Sequence, residues 1–76
     1  MHESELKNKT IEWLWCQYKN RKVKPCKFAP KEITDEIGGV HTSLGRIKDD
    51  VVAELTARGA DARYLKVGNK RYFELG

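Results

Sequence analysis

Cysteine and histidine are the side chains here best suited to metal binding or nucleophilic chemistry, and their spacing predicts neither. Cys16 and Cys26 fit no zinc-ligand pattern, and His2 and His41 do not stand at ligand spacing from them. The chain also has no Ser/His/Asp arrangement and no phosphate-cradling glycine loop. We therefore expect no catalytic residue, no metal and no cofactor. The cysteines are expected to be semi-buried thiols in a reducing cytoplasm, with a disulfide between them left open.

The positively charged side chains are the other feature of the chain that could bind a ligand, and they are unevenly distributed. Fifteen Lys and Arg against eleven Asp and Glu give a net charge of +4. Residues 1–30 carry +4, residues 31–59 carry −2 and residues 60–76 carry +2. Residues 19–27 hold five cations and no acid. Basic charge gathered in two stretches favours an acidic partner such as nucleic acid.

Length and composition restrict the remaining possibilities. A chain of 76 residues, 39% of them hydrophobic, predicts a single domain over residues 1–76 with little room for a large internal pocket. No apolar run approaches the ~20 residues that a membrane span needs. The acidic, polar start at residues 1–5 is not typical of a secretory signal. We expect no membrane partner and a cytoplasmic, nucleoid-associated location.

Helical periodicity predicts a first helix over residues 4–21, with Ser4 as its N-cap. Its apolar stripe consists of Ile11, Leu14, Trp15 and Tyr18. Leu6 and Trp13 lie on the other side of this helix. They either meet a second element or form an exposed apolar surface for a homodimer or a protein partner.

Two further helices are predicted in the middle of the chain. A short strand at residues 26–28 precedes Pro30, which fits the first turn of a helix of about eight residues that Gly38-Gly39 ends. A third helix is expected to begin at Thr42, as its N-cap, and to end at Gly59. Its core face consists of Leu44, Ile47, Val51 and Leu55, and its opposite face of Thr42, Arg46, Asp49 and Ala53.

The end of the chain predicts a β-hairpin, with strands at residues 62–67 and 70–75 around Gly68-Asn69. Two residues between strands, glycine first, favour a type II′ turn. That turn pairs Val67 with Lys70, Leu65 with Tyr72 and Arg63 with Glu74 on one face. The other face then pairs Lys66 with Arg71, Tyr64 with Phe73 and Ala62 with Leu75.

This order of elements resembles the winged helix-turn-helix family of DNA-binding domains. The resemblance covers most of the chain and rests on Ile33-Thr34-Asp35-Glu36-Ile37-Gly38, Val40-His41-Thr42-Ser43-Leu44, Val51, Leu55 and Arg58-Gly59 followed by the hairpin. It implies an α+β fold, with three helices in the core and a C-terminal β-hairpin wing. It also implies binding of double-stranded DNA by a small transcriptional regulator.

The resemblance implies a set of DNA contacts, with the third helix in a major groove about 12 Å wide and the wing on the backbone. The residues implied to contact the major groove are His41, Thr42, Ser43 and Arg46, and Lys48 is implied to reach a phosphate. The residues implied to contact DNA from the wing are Lys66, Lys70 and Arg71. Beside the first strand, the phosphate track extends over Lys22, Lys24 and Lys27.

A protein–protein interaction module of the same fold, working within a larger assembly, is the alternative. It is favoured by the acidic middle of the chain and by the Leu6/Trp13 side of the first helix. Salt dependence separates the two functions, because phosphate contacts release counterions and weaken steeply as salt rises.

Overall fold

The computed structural model describes residues 2–76, which form three α-helices, a 3-10 turn and a three-stranded antiparallel sheet. The elements in chain order are α1 (Glu3–Asn20), β1 (Cys26–Phe28), α2 (Pro30–Ile37), a 3-10 turn (His41–Ser43), α3 (Leu44–Ala57), β2 (Ala62–Val67) and β3 (Lys70–Leu75). This is an α+β fold with the predicted order of helices and strands. No helix in the described part of the chain has both the length and the apolar character needed to cross a membrane.

His2, and not Ser4, caps the start of α1. The Nδ1 atom of His2 accepts a hydrogen bond from the Ser4 backbone N–H at 3.3 Å. That amide is one of those left without a partner in the first turn of any helix. The helix therefore begins at Glu3, and the prediction of Ser4 as the N-cap is wrong.

α2 has the predicted bounds, because proline opens it and a glycine pair ends it. Pro30 occupies the first turn, where its missing N–H costs nothing. The Gly38 N–H donates to the Thr34 carbonyl at 2.8 Å. Gly38 and Gly39 have φ values of 88° and 93°, a region that favours glycine, and the chain turns there towards α3.

The start of α3 differs from the prediction, whereas its end agrees. Residues His41–Ser43 form the 3-10 turn, so Thr42 lies before the helix and does not cap it. At the other end, Gly59 has a φ of 105°. The Ala60 N–H donates to the Leu55 carbonyl at 3.1 Å, and the Gly59 N–H donates to the Thr56 carbonyl at 3.0 Å. These two bonds form a Schellman motif, which ends the helix at the predicted glycine.

The sheet has the strand order β1-β3-β2. The hairpin register agrees with the prediction in every pair from Ala62–Leu75 to Val67–Lys70. Gly68 has a φ of 62° and Asn69 does not have a positive φ, as a type II′ turn requires. β1 lies antiparallel to β3, with Cys26 opposite Leu75.

The core lies between the helices and one face of the sheet. The four predicted core residues of α3 are buried, and Phe28, Phe73 and Leu75 meet them from the sheet. Burying a large apolar side chain of this kind contributes roughly 1.5–3 kcal/mol. Leu6 is also buried, at 3% exposure, and the Trp13 ring packs edge-on against Phe28 with centroids 5.4 Å apart. Of the two predicted alternatives for Leu6 and Trp13, the first therefore holds: both meet other elements, Leu6 within the core and Trp13 half-buried against it.

α1 and α3 lie side by side and point in the same direction. His2 and Glu3 stand beside Arg46 at the start of α3, and Glu12 binds Arg58 just after its end. The hairpin turn lies at the end of the molecule where α3 starts, which we call the tip end. The loop at residues 21–25 and Gly59 lie at the opposite end, which we call the base end.

Candidate functional site

A carboxylate-free basic groove opens at the tip end, between the start of α2 and the hairpin. Its volume is about 390 Å³. It is lined by Ala29, Pro30, Lys31, His41, Asn69, Lys70, Arg71 and Tyr72. Three of these residues, Lys31, Lys70 and Arg71, are cations, and the His41 ring adds a hydrogen-bonding nitrogen. The groove therefore has the charge and the hydrogen-bond donors that an extended phosphate chain requires.

Local sequence explains why these side chains meet. Lys31 follows Pro30 in the first turn of α2, where the backbone N–H groups are also unpaired. The Gly38-Gly39 turn then returns the chain and places His41 beside that first turn. The hairpin register sets Lys70 directly after the turn at Gly68-Asn69. Lys31 is a site residue that sequence reasoning missed, and only its place after a helix-opening proline could have signalled it.

The start of α3 presents polar side chains beside this groove. Thr42 and Arg46 are exposed, and Ser43 is half-buried. Ser43 and Arg46 line a second shallow groove with His2, Glu3 and Val40. Arg46 therefore points outward on the side of α3 that faces α1, with a carboxylate among its neighbours.

Two lysines on α3 and β2 that were predicted to contact DNA have different surroundings. The half-buried Lys48 donates from Nζ to the Gly45 carbonyl at 3.1 Å, and Nζ lies 5.8 Å from the centre of the Tyr64 ring. Lys48 thus faces the hairpin, and its ammonium group already donates a hydrogen bond to a carbonyl of its own helix. Lys66 is exposed and pairs across the hairpin with Arg71, on the side of the sheet that faces the helices.

The ion pairs of the described residues all lie away from the tip-end cations. They join Lys9 to Glu5, Lys27 to Glu74, Arg58 to Glu12 and Glu54, and Arg63 to Asp61. Within residues 2–76, no carboxylate pairs with Lys31, Arg46, Lys66, Lys70 or Arg71. The tip end therefore carries positive charge that no carboxylate among the described residues compensates, as do the cations of the loop at residues 21–25.

Acidic side chains limit how far the basic surface extends along α3. Asp49 and Asp50 are exposed one turn after Arg46. They would repel phosphates, so anion binding on α3 is confined to its first turn.

Lys22, Lys24 and Lys27 do not join the tip-end residues. Because Cys26 pairs with Leu75, the loop at residues 21–25 lies beyond the foot of the hairpin. The strand from Leu75 to Lys70 separates the two regions by about 17 Å, at ~3.4 Å per residue. The cations of this loop therefore form a basic surface separate from the tip end.

The ion pair between Arg58 and Glu12 joins α1 to the end of α3. The hydrogen bond from Arg58 lowers the pKa of the Glu12 carboxyl, and the same bond raises the pKa of Arg58. Arg58 also lies over the Trp15 ring, 5.8 Å from its centre. These contacts hold the two helices together, so Arg58 is a structural residue here.

The cysteines and histidines form no cluster in the part of the chain that the structure describes. Cys16 is exposed, which corrects the expectation that it is semi-buried, whereas Cys26 is buried and lies 3.5 Å from the Leu75 carbonyl. Both thiols are free. Residues 2–76 contain no group of three His, Cys, Asp or Glu side chains placed to hold a metal ion.

Comparisons of the chain with family models, with curated proteins and with solved structures gave no match.

Proposed function

We propose that this chain is a winged helix-turn-helix domain that binds double-stranded DNA, as a small nucleoid-associated transcriptional regulator. The observation that carries this proposal is the group of cations without carboxylate partners at the tip end, beside the exposed first turn of α3. Two helices joined by a tight glycine turn and followed by a hairpin fit this assignment.

The first turn of α3 enters the major groove in this proposal. Thr42 and Arg46 then reach base edges, and Arg46 is suited to guanine, since arginine–guanine pairs are the commonest specific contact. Asp49 and Asp50 keep the later turns of α3 away from the phosphates. The helix therefore meets the groove by its N-terminal end and not along its whole length.

The hairpin turn and the basic groove hold the DNA backbone. Lys66, Lys70 and Arg71 bind phosphates on one side of α3, and Lys31 and His41 bind the same strand farther along. Contacts of this kind fix the position of the protein on the duplex but carry no sequence information. Affinity is thus expected to come mainly from the hairpin and Lys31, and specificity from Arg46.

The burial of Leu6 and the packing of Trp13 on Phe28 remove the main support for the alternative function, a protein–protein interaction module. Its other support, the acidic middle of the chain, remains, because Asp49 and Asp50 follow Arg46 within one turn and α2, which begins at the basic groove, carries three acids. The groove cations, which have no carboxylate partner among the described residues, favour DNA over a protein partner.

Fluorescence anisotropy with a labelled mixed-sequence duplex tests the proposal. Neutralising about five phosphates gives a slope of about −4.5 in a plot of log affinity against log salt. The affinity should then fall by roughly 10²–10³ between about 50 and 200 mM salt. Absence of binding at the lower salt concentration would favour the protein-interaction alternative.

A further inference from the structure

We propose that the basic groove holds an unpaired nucleotide, so that the protein favours DNA in which the duplex adjoins a single-stranded segment. The base of that nucleotide lies on the floor of the groove, and its phosphates lie at the cationic rim. This inference rests on the proposed function, because it assumes that the tip end binds DNA.

The hydrogen-bond pattern of the hairpin determines which backbone groups of β3 face the groove. Asp61 and Gly76, which continue the hairpin register, exchange both of their backbone N–H···O bonds, at 3.1 and 3.0 Å. Bonded and non-bonded pairs alternate along an antiparallel ladder, so the even-numbered residues of β3 also bond to β2. The N–H and C=O groups of the odd-numbered residues, Arg71 to Leu75, therefore point to the other side of β3.

Arg71 is the odd-numbered residue of β3 that β1 does not reach. β1 ends at Phe28, opposite Phe73, so the next position on this line that could bond is Pro30, opposite Arg71. Proline has no N–H, and the chain turns into α2 at that residue. Within residues 2–76, no backbone hydrogen bond joins Arg71 to the chain on this side. The N–H and the C=O of Arg71 are therefore open towards the groove that Pro30 and Arg71 both line.

The floor of the groove is apolar and its rim is cationic. Ala29, Pro30 and Tyr72 are half-buried, whereas Lys31 and Lys70 are exposed. Proteins bind an unpaired base by stacking it on aromatic or apolar side chains and by hydrogen bonds to its edge. The volume of about 390 Å³ lies within the range of small-ligand sites. The groove thus combines a surface for a base with cations for its phosphates.

An intact duplex uses only part of this groove. Its bases are stacked inside the double helix, so it brings phosphates and sugars to the cationic rim. Phosphate oxygens accept hydrogen bonds but do not donate them, so they leave the Arg71 carbonyl without a partner. A base edge carries a donor beside an acceptor and can bond to both backbone groups. An unpaired nucleotide is therefore the occupant that fits the floor as well as the rim.

An acidic peptide that adds a strand to β3 fits the groove less well. Strand addition derives its affinity from a series of main-chain hydrogen bonds. On this side of β3 only Arg71 offers an open N–H and C=O, because Phe28 already lies opposite Phe73 and the hairpin turn precedes Lys70. One residue is enough for a base edge but too short for a strand.

Fluorescence anisotropy with forms of one duplex of about 20 base pairs tests the inference. One form is blunt, and the others carry a short unpaired tail at a 3′ or a 5′ end, either with its bases or as abasic sites. The abasic tail keeps the phosphates and removes the bases. A tail with bases, in at least one of the two polarities, should bind roughly tenfold more tightly than the blunt form, the effect of stacking one base on an aromatic side chain. The abasic tail should bind within about threefold of the blunt form.

Tyr72→Leu tests the groove itself, because it removes the ring and keeps an apolar side chain in β3. The ratio of tailed to blunt affinity should fall from about ten to below about three. Tyr18→Leu makes the same change at another half-buried tyrosine, on α1 at the base end, and should keep the full ratio. Circular dichroism checks that both variants are folded, and the comparison with the abasic tail needs no variant.

Equal affinities for the tailed and blunt forms, or an abasic tail that binds as tightly as the tail with bases, would overturn the inference and leave the proposed function intact. A ratio that survives Tyr72→Leu would also overturn it, because the base would then lie elsewhere. So would a polyglutamate peptide that displaces the tailed duplex better than a single-stranded oligonucleotide of the same charge. Absence of binding to every form at low salt would instead contradict the proposed function.

Discussion

Arg71 of β3 and Gly45 of α3 lie side by side at the tip end. A Cβ atom on residue 45 would stand 4.0 Å from Arg71 Nη1. Arg71 is the second residue of its strand and Gly45 lies in the first turn of its helix. The contact therefore joins the hairpin to the part of α3 that we place in the major groove. The two halves of the proposed DNA surface are neighbours in space, although they are distant in sequence.

Replacing glycine by alanine should change the free energy of unfolding in opposite directions at Gly45 and at Gly59. Gly45 is helical, and the added Cβ makes an ordinary contact, so Gly45→Ala should raise the free energy of unfolding by up to about 1 kcal/mol. Gly59 has a φ of 105°, so Gly59→Ala should lower it by more than about 1 kcal/mol. Urea unfolding followed by circular dichroism measures both values. The reverse order would contradict the structure of α3.

Replacing the buried Thr10 of α1 by valine should not destabilise the protein and could stabilise it. Its side chain is fully buried, and its Oγ1 atom has no hydrogen-bond partner among the described residues. A buried hydroxyl without a partner costs about 1–3 kcal/mol, and valine has nearly the same shape. Thr10→Val should therefore leave the free energy of unfolding unchanged or raise it by about 1 kcal/mol. Thr10→Ser, which keeps the hydroxyl and removes a methyl group, is the control and should be destabilising.

Local sequence signals predicted the elements well where special residues mark their ends. Pro30 and Gly38 bound α2, Gly59 ends α3, and Gly68-Asn69 determines the hairpin register, because each of these residues strongly restricts the backbone. The starts of α1 and α3 were less predictable. His2 took the place of Ser4 as the cap of α1, and the 3-10 turn before α3 displaced the expected cap at Thr42.

Long-range packing determined what the sequence could not predict. The packing of Trp13 depends on where Phe28 lies, and periodicity along α1 carries no information about that strand. The pairing of β1 with β3 places Lys22 and Lys24 at the base end, and the return of the chain after Gly38-Gly39 brings His41 to Lys31. The neighbourhood of α3 and the hairpin therefore followed from the order of elements, whereas the place of Lys31 in the groove and the separation of the loop from the tip end did not.

The ion pair at Glu12 predicts a loss of stability in acid. Since Arg58 lowers the pKa of Glu12 in the folded state, the pair stabilises the fold at pH values above the ordinary carboxyl pKa of 4.5. That contribution disappears as the pH falls through the lowered pKa. Glu12→Gln should therefore destabilise the protein at pH 7 and should show a smaller drop in stability on acidification. Denaturant unfolding at pH 7 and pH 3 compares the two proteins, and equal drops would contradict the role given to this pair.

The salt dependence of DNA binding should identify the cations that contact phosphates. Lys70→Ala/Arg71→Ala removes two contacts and should reduce the salt slope by about 1.8, at about 0.9 per phosphate. Lys9→Ala/Arg63→Ala removes the same charge from two exposed positions outside the tip end, and its slope should stay close to that of the unmodified protein. Equal reductions in both variants would show that net charge alone drives binding.

Arg46 should determine sequence preference. Selection of binding sites from a random duplex library should yield a guanine at one position for the unmodified protein. Arg46→Ala should lose that preference at a cost of about 1–3 kcal/mol on the selected site, with little change on unrelated DNA. Lys9→Ala carries the same charge change on α1 and should select the same site as the unmodified protein.

An amide NMR titration of labelled protein with a short mixed-sequence duplex tests the central claim most directly. The proposed interface predicts chemical-shift changes at Lys31, at residues 41–46 and at residues 66–71, and these changes should fade as salt is raised from low to moderate concentration. A spectrum unchanged by DNA at low salt, or shift changes confined to residues away from the tip end, would contradict the assignment of this surface to DNA.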